Sequence, residues 1–416
     1  MTEKIFPYEL PENWQWTTLK NVAKIFTGNS INEKVKQEKY FGKPDGLIYI
    51  ATKDIGFDKK INYDTKIKIP ESENFKVAPK DTTLLCIEGG SAGRKIGFTN
   101  QPVCFVNKLC AFVSNEINSK LIYFFMQTEF FLNQFNKKKH GLIGGVSVKD
   151  LSEIIFPLPP LDEQKKIVER IESLFSKLDA AKEKVQTILD GYELRRSAIL
   201  HKAFTGELTK NFRAENNLSL DDWQEKLFSE ICDIVRGGSP RPAGDPKYYG
   251  GNIPFMKVAD ITNNLSPYVY STKYTIKKAG LSKTRMVKAN TLLLTNSGAT
   301  LGVPAICMLD TTLNDGIAAF LNLDSENLMF YYYFWSMKTQ ELRGINKGAA
   351  QPNLNTNIIG AVEINLPPLA EQKEIVRVLD SLLAKEQRTK EIAENILQEI
   401  DLLKKSILAQ AFRGKL

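Results

Sequence analysis

In two long stretches of the chain, apolar positions recur with alternating steps of four and three. The first runs through Ile167, Ile171, Leu174, Leu178, Ala181, Val185, Ile188, Tyr192, Arg195 and Ile199. The second runs through Ile375, Leu379, Leu382, Glu386, Thr389, Ala393, Ile396, Ile400, Leu403 and Ile407. A 4-3 stripe sustained over so many turns predicts coiled-coil helices rather than ordinary surface helices. The flanks agree with this. Pro159–Pro160 and Pro367–Pro368 impose an extended entry and then permit a first turn. Asp162, Glu163 and Glu371 follow at once, where carboxylates favour the positive helix N-terminus. Gly206 and Gly414 stand where a left-handed cap is expected. Gly191, inside the first stripe, costs about 1 kcal/mol against alanine, which so long a seam tolerates.

The two stripes are copies. LPPLDEQKKIVERIESLF from Leu158 and LPPLAEQKEIVRVLDSLL from Leu366 agree at 11 of 18 positions, at an offset of 208. Both copies close alike, with AFTGEL at Ala203–Leu208 and AFRGKL at Ala411–Leu416. Two such seams in one chain most simply pack on each other. Antiparallel packing would give the repeats a pseudo-twofold relation, with about 45 residues at ~1.5 Å each forming a spacer of ~65 Å. Ile167, Ile171, Leu174, Leu178, Val185 and Ile188 would face Leu379, Leu382, Ile396, Ile400, Leu403 and Ile407. Were the helices only covers for their own domains, a broader apolar face would be expected.

The segments between the stripes repeat as well. LPENWQWTTLKNVAKIFTGNS (Leu10–Ser30) corresponds to LDDWQEKLFSEICDIVRGGSP (Leu220–Pro240). The strand-like LIYIATKDI (Leu47–Ile55) corresponds to IPFMKVADI (Ile253–Ile261), and DTTLLCIEGGSAGRKIG (Asp81–Gly97) to NTLLLTNSGATLGVPAI (Asn290–Ile306). Apolar segments at Leu121–Met126 and Leu328–Met337 read as matching core helices, too short to span a bilayer. A last strand, Glu153–Phe156 or Val362–Asn365, leads into each double proline. The expected architecture is therefore mixed α/β. Two similar globular domains, 1–158 and 209–366, would be joined and separated by two long antiparallel helices, 159–208 and 367–416. Scaffold positions agree between the copies while turn and loop positions differ, as expected of two related surfaces with different specificities. Loop drift after duplication would give the same divergence.

Charge sharpens this picture. Residues 161–208 carry nine basic and nine acidic side chains, and 369–416 carry nine and eight. Residues 1–160 hold 22 basic against 17 acidic, and 209–368 hold 16 against 14. The positive excess thus sits on the globular parts, which suits a polyanionic partner gripped there. Five cysteines without a CxxC pair, and no signal-peptide segment in MTEKIFPYEL, suggest a reducing cytoplasm.

Catalytic patterns are scarce. GGSAGRK at Gly89–Lys95 lacks the spacing of a phosphate loop and reads as a tight turn with a basic tip. Glu163-Gln164-Lys165 recurs as Glu371-Gln372-Lys373 at the same helix start, where the carboxylates serve the dipole rather than a nuclease metal. The chain has only two histidines, His140 and His201, and neither has a repeat partner. No metal site is expected. What remains are donors on glycine-rich turns, of the kind that contact guanine, adenine or phosphate. In the first domain these are Asn29, Ser30, Arg94, Lys95, Lys137, Lys138 and Lys139. In the second they are Arg236, Ser239, Arg241, Asn296, Ser297, Asn346, Lys347, Gln351 and Asn353.

Three features together resemble the specificity subunits of type I restriction-modification enzymes. They are the doubled PPL-x-EQ (Pro159–Gln164, Pro367–Gln372), the doubled AF-x-G-x-L ending, and the strand-then-turn at Ser297–Gly302. Unit one departs from the family pattern at Glu88-Gly89-Gly90-Ser91 and in its GLIGGVSV loop. The resemblance implies a non-catalytic chain with two target-recognition domains, each reading half of a bipartite, asymmetric site in double-stranded DNA, with the helices fixing the gap. It implies as partners two adenine methyltransferase subunits and ATP-driven restriction subunits, and no membrane. S-adenosylmethionine, ATP and magnesium would be bound by those partners, and this chain would bind no cofactor. The alternatives are a coiled-coil scaffold that does not touch DNA, or the specificity subunit of a methylation-only system.

Overall fold

The computed structural model describes residues 8–141, 144–298, 300–345 and 353–416. The chain forms two compact units, Met1–Gln186 with Glu394–Leu416, and Thr187–Ala393. These are not the sequence repeats: each unit is completed by the last part of a helix that begins in the other.

In the first unit, strand Gln15–Thr18 pairs antiparallel with Ile155–Leu158. A four-stranded antiparallel sheet follows the order Lys24–Thr27, Leu109–Val113, Thr83–Cys86, Ile96–Phe98. A second sheet runs Lys68–Ile69, Leu47–Ile50, Val103–Phe105, Val77–Ala78, with Leu47–Ile50 parallel to Val103–Phe105. The second unit repeats this topology. Gln224–Leu227 pairs with Glu363–Leu366. A sheet of order Asp233–Arg236, Ile317–Leu321, Thr291–Thr295, Pro304–Cys307 gains Tyr268–Val269 at its edge. The other sheet runs Tyr274–Ile276, Tyr249–Met256, Thr311–Leu313, Arg285–Val287. The strands of the segments ending in Asp-Ile stop early, at Ile50 and Met256, because the aspartate caps a helical turn. Asp54 accepts from the Ala51 N–H at 2.8 Å, and Asp260 from the Lys257 N–H at 2.8 Å. The aromatic core helix is continuous over Leu328–Ile345 in the second unit, but in the first it is two helices, Ser119–Phe125 and Glu129–Lys137. There the Thr128 hydroxyl, accepting from the Phe131 N–H, starts a new N-terminus.

The first stripe forms α1 (Leu161–Asp190) and α2 (Tyr192–Phe204), and the second forms a single α3 (Leu369–Ala411). The break falls at Gly191. Without a Cβ there, the Arg195 side chain folds back over the chain to donate to the Ile188 carbonyl at 3.0 Å and, through Nε, to Glu386 at 2.8 Å. The helices pair antiparallel within each unit. In the first unit Lys182 meets Asp401 at 3.3 Å, and Lys404 pairs with Asp179 while lying over the Phe175 ring. In the second, the Tyr192 hydroxyl donates to Gln387 at 2.9 Å, beside the Arg195–Glu386 pair.

The buried stripe differs from the expected seam at one position of the heptad. Ile171, Val185, Leu379 and Ile400 are buried, and Ile167, Leu174, Leu178, Leu382 and Ile407 are half-buried. Ile188, Ile396 and Leu403 are 41%, 37% and 50% exposed. Leu189, Leu397 and Lys404, one residue further on, are the half-buried ones. A helix of 3.6 residues per turn drifts against a 3.5 repeat, and the apolar neighbours Ile188–Leu189 and Ile396–Leu397 let either residue satisfy the pattern.

The helix ends enter the domain cores. Leu408, Ala411 and Phe412 join the first core among Phe125, Phe131, Phe135 and Phe156. Leu200, Ala203 and Phe204 join the second among Phe228, Phe330 and Trp335. Gly206 and Gly414 take the left-handed conformation, at φ 77° and 67°. Beside Gly414, the Tyr8 hydroxyl donates to the Phe412 carbonyl at 2.9 Å, and burial pushes its pKa up to about 12. No helix among the described residues is long and apolar enough to cross a membrane.

Candidate nucleic-acid interface

The PPL-x-EQ motif does more than start a helix. Its glutamine folds back onto the second residue before the helix, Gln164 onto the Pro159 carbonyl at 2.9 Å and Gln372 onto Pro367 at 2.8 Å. Its glutamate accepts from the indole N–H that opens the domain, Trp14 to Glu163 at 2.7 Å and Trp223 to Glu371 at 2.9 Å. The doubled motif is thus a clasp between the first strand of a domain and the helix that leaves it.

In both units, three segments distant in sequence converge beyond the central sheet. They are the glycine turn after the second strand, the loop after strand Val103–Phe105 or Thr311–Leu313, and, ahead of the last strand, residues 144–146 or 353–354. In the first unit the Asn29 N–H donates to the Phe105 carbonyl at 2.9 Å, and a Cβ at Gly28 would stand 1.8 Å from that oxygen. The Asn29 side chain is engaged, its Oδ1 accepting from the Lys76 N–H at 2.8 Å, and the Tyr49 hydroxyl buttresses its carbonyl at 2.7 Å. Ser30 is exposed. Ahead of the last strand, His140 is bridged to Gly145 and Gly145 to Glu88. Glu88 in turn pairs with Lys108 at 3.2 Å.

The turn at Gly89–Arg94 projects a basic tip. The Arg94 guanidinium bonds the Gly90 carbonyl, and the Lys95 ammonium donates to the Thr52 carbonyl at 3.0 Å. Both cations lie over the ring of Phe57, at 5.4 and 5.2 Å from its centroid, and that ring is 62% exposed. Lys137 closes the preceding helix and is exposed, Lys138 pairs with Glu153 at 3.4 Å, and Lys139 lies over Phe135.

In the second unit the convergence centres on Asp315. Arg236 Nε donates to its carbonyl at 2.6 Å, the Ser239 hydroxyl to its Oδ1 at 2.8 Å, and Arg241 Nη2 to its Oδ2 at 3.1 Å. The Asn296 N–H bonds the Gly316 carbonyl at 2.9 Å, and Ser297 is bridged to Asn353. Asn296 itself is a correction to the expected exposed donors. It is fully buried with its side-chain amide unpaired, because its backbone is pinned on both sides, by Gly316 and by the Leu354 N–H at 2.7 Å. Asn346, Lys347 and Gln351 lie outside the described residues. Sequence reasoning missed two residues here, Asp315 and Phe57. The Asn314-Asp315-Gly316 turn between two strands was the available signal for the first, and nothing marked the second.

Four of the five thiols are held well above their ordinary range. Burial pushes the Cys104 and Cys307 thiols up to about 11, and those of Cys110 and Cys232 to about 12, which leaves them protonated at neutral pH. Among the described residues no group of three metal-binding side chains occurs. The arrangement offers charged and amide donors on rigid turns, suited to holding a polyanion and reading hydrogen-bonding edges.

A family model described as the type I restriction modification DNA specificity domain matches the chain twice, over residues 11–189 and 220–400. Among curated proteins, the chain is 26% identical over 426 residues to the type I restriction enzyme EcoBI specificity subunit of Escherichia coli, covering 97% of this chain and 86% of that one. It is 26% identical over 435 residues to the StySPI specificity subunit of Salmonella potsdam, covering 98% and 90%. Among solved structures, the HsdS subunit from Thermoanaerobacter tengcongensis superposes with a TM-score of 0.67 at 22% identity, over 100% of both chains. A chain from work on complex assembly and conformational transition of the type I R-M system gives 0.76 at 21% identity, covering 99% of this chain and 100% of that one. At those identities the two structures establish a shared fold.

Proposed function

The chain belongs to the type I restriction modification DNA specificity family, and from that premise we propose that it is the DNA-reading subunit of a type I restriction-modification complex. Residues 1–158 and 209–366 are its target-recognition domains, and 159–208 and 367–416 its spacer helices. Each domain reads one half of a bipartite, asymmetric site in double-stranded DNA. The chain itself performs no chemistry. Two methyltransferase subunits bring S-adenosylmethionine and flip the target adenine out of the duplex, and restriction subunits bring ATP and magnesium. It works in the cytoplasm.

The observation that carries this reading is the repeated convergence of the glycine turn after the second strand with the loop after Val103–Phe105 or Thr311–Leu313, built on the same topology in both units but furnished differently. Glu88 pairs with Lys108 in one, and Asp315 grips two arginines in the other. Equal scaffolds with unequal side chains are what two different half-sites require. Joining two modest half-site affinities in one chain makes the second contact intramolecular, so that the pair binds far more tightly than either alone.

The test is methylome mapping of cells that express the chain with its methyltransferase, against cells lacking the chain. A bipartite, non-palindromic adenine-methylation motif that disappears with the chain is expected. An active methyltransferase with no such motif would leave the scaffold reading instead. Restriction of unmodified DNA by the same cells separates a full restriction system from a methylation-only one. A further expectation concerns the spacer. Adding one heptad to both long helices should lengthen the gap between the half-motifs, and an unchanged gap would count against the helices as a ruler.

A further inference from the structure

We propose that the second unit reads a guanine in its half-site through Arg241, with Asp315 as the positioning residue that aims it. This rests on the DNA-reading function proposed above and adds the base and the residues.

The main chain and side chain of Asp315 together hold three of the candidate contacts. Its carbonyl takes Arg236, and its carboxylate takes Ser239 on one oxygen and Arg241 on the other. The turn that carries these residues cannot drift away from Asp315. The Gly237 and Gly238 N–H groups donate to the Ile317 and Leu313 carbonyls, both at 2.9 Å. A Cβ on Gly237 would stand 2.1 Å from the Asn314 carbonyl oxygen, and one on Gly238 2.5 Å from that of Lys283. From the other side the Tyr249 hydroxyl donates to the Pro240 carbonyl at 2.8 Å. The backbone beneath Arg241 is thus fixed before any ligand arrives.

The ion pair has little to do with stability. The Arg241 side chain is 72% exposed and that of Asp315 42%, and pairs so open to water contribute little to folding. What the contact does accomplish is orientation. It engages one guanidinium nitrogen, Nη2, and leaves the remaining N–H donors of a planar fork at the surface. Guanine is the base whose major-groove edge carries two adjacent acceptors, N7 and O6, matched by such a fork. A phosphate contact needs only a positive charge and no fixed plane.

The device is also confined to one unit. At the equivalent positions of the first unit stand Thr27, Asn32 and Asn107 in place of Arg236, Arg241 and Asp315. That is the distribution expected of a determinant that distinguishes one half-site from the other.

The test uses the full chain with its methyltransferase, and compares methylomes of the wild type with Arg241→Ala, Arg241→Lys and Asp315→Asn. In Arg241→Ala, one G·C position in one half-motif should lose its discrimination by about 5- to 150-fold, the selectivity of one bidentate pair, while the other half-motif stays intact. Arg241→Lys should relax the same position, because it keeps the charge and loses the fork. Asp315→Asn should relax that position to a smaller degree. The inference is overturned if Arg241→Ala leaves the motif unchanged, if the relaxed position is not a G·C pair, or if lysine preserves the wild-type motif, which would mark a phosphate contact. Should the alanine variant fail to melt like the wild type, the lysine variant carries the decision. A wild-type chain that yields no bipartite motif beside an active methyltransferase overturns the DNA-reading function itself, an outcome distinct from any of these.

Discussion

Replacing Glu371 by alanine is expected to destabilise the second unit by about 3–5 kcal/mol, the cost of breaking a buried ion pair from one side. Glu371 is fully buried. Its carboxylate is surrounded by donors: the Arg213 guanidinium, the Thr209 hydroxyl at 2.6 Å and the Trp223 indole at 2.9 Å. Arg213 is itself 7% exposed and donates to the Gly206 carbonyl at 2.6 Å. Removing the carboxylate would strand a cation in a place it cannot leave. The repeat supplies an internal control. Glu163 accepts from Trp14 and Asn13, both neutral, and is partly exposed. Glu163→Ala should therefore cost only about 1–2 kcal/mol, the scale of lost neutral hydrogen bonds. Urea unfolding followed by tryptophan fluorescence measures both. Equal losses in the two variants would mean that the buried arginine contributes nothing to the difference.

The same pair shows what could be read from the sequence and what could not. The repeat made PPL-x-EQ visible, and the dipole argument correctly placed its glutamate at a helix start. That argument could not find the tryptophan clasp, because Trp14 and Glu163 lie 149 residues apart and Trp223 and Glu371 lie 148 apart. Periodicity likewise gave the long helices but could not choose between Ile188 and Leu189, or between Ile396 and Leu397, since both members of each pair are apolar. Gly191 was legible as a weak point of the first stripe, but the contact of Arg195 with Glu386 that accompanies the break there is one no local propensity contains. In the candidate interface, residue type alone selected Arg236, Ser239 and Arg241, and they do come together. Residue type does not point to the acid that gathers them, because Asp315 acts by its place in the turn opposite them rather than as a donor. Asn296 was misjudged for the opposite reason. Its type suits base reading, but its position at the end of the buried strand Thr291–Thr295 removes it from solvent.

The division into units gives the second large effect. Phe412→Ala should destabilise the first unit by about 3–5 kcal/mol, as expected for deleting a buried phenylalanine. The Phe412 ring is 2% exposed and stands edge-on to Phe125 and Phe156, at 5.5 and 6.4 Å between centroids. By sequence, Phe412 belongs to the second repeat, and a helix that only covered its own domain would place the damage in residues 209–366. Its ring contacts place the damage instead on helix Ser119–Phe125 and strand Ile155–Leu158, in the core that also holds Cys110 and Phe112 of the first unit. Amide hydrogen exchange separates the two. Protection should fall in the first unit's central strands while Thr291–Thr295 and Ile317–Leu321 stay protected. The reverse follows for Phe204→Ala, whose ring packs on Phe330 and Phe334 at 5.2 and 5.4 Å in the second unit. Loss of protection in the second unit on mutating Phe412 would contradict the exchange of helix ends. With that exchange, each domain's stability depends on the helix that starts in the other repeat. A truncation after Ala393 would then remove part of the first domain's core rather than a dispensable tail.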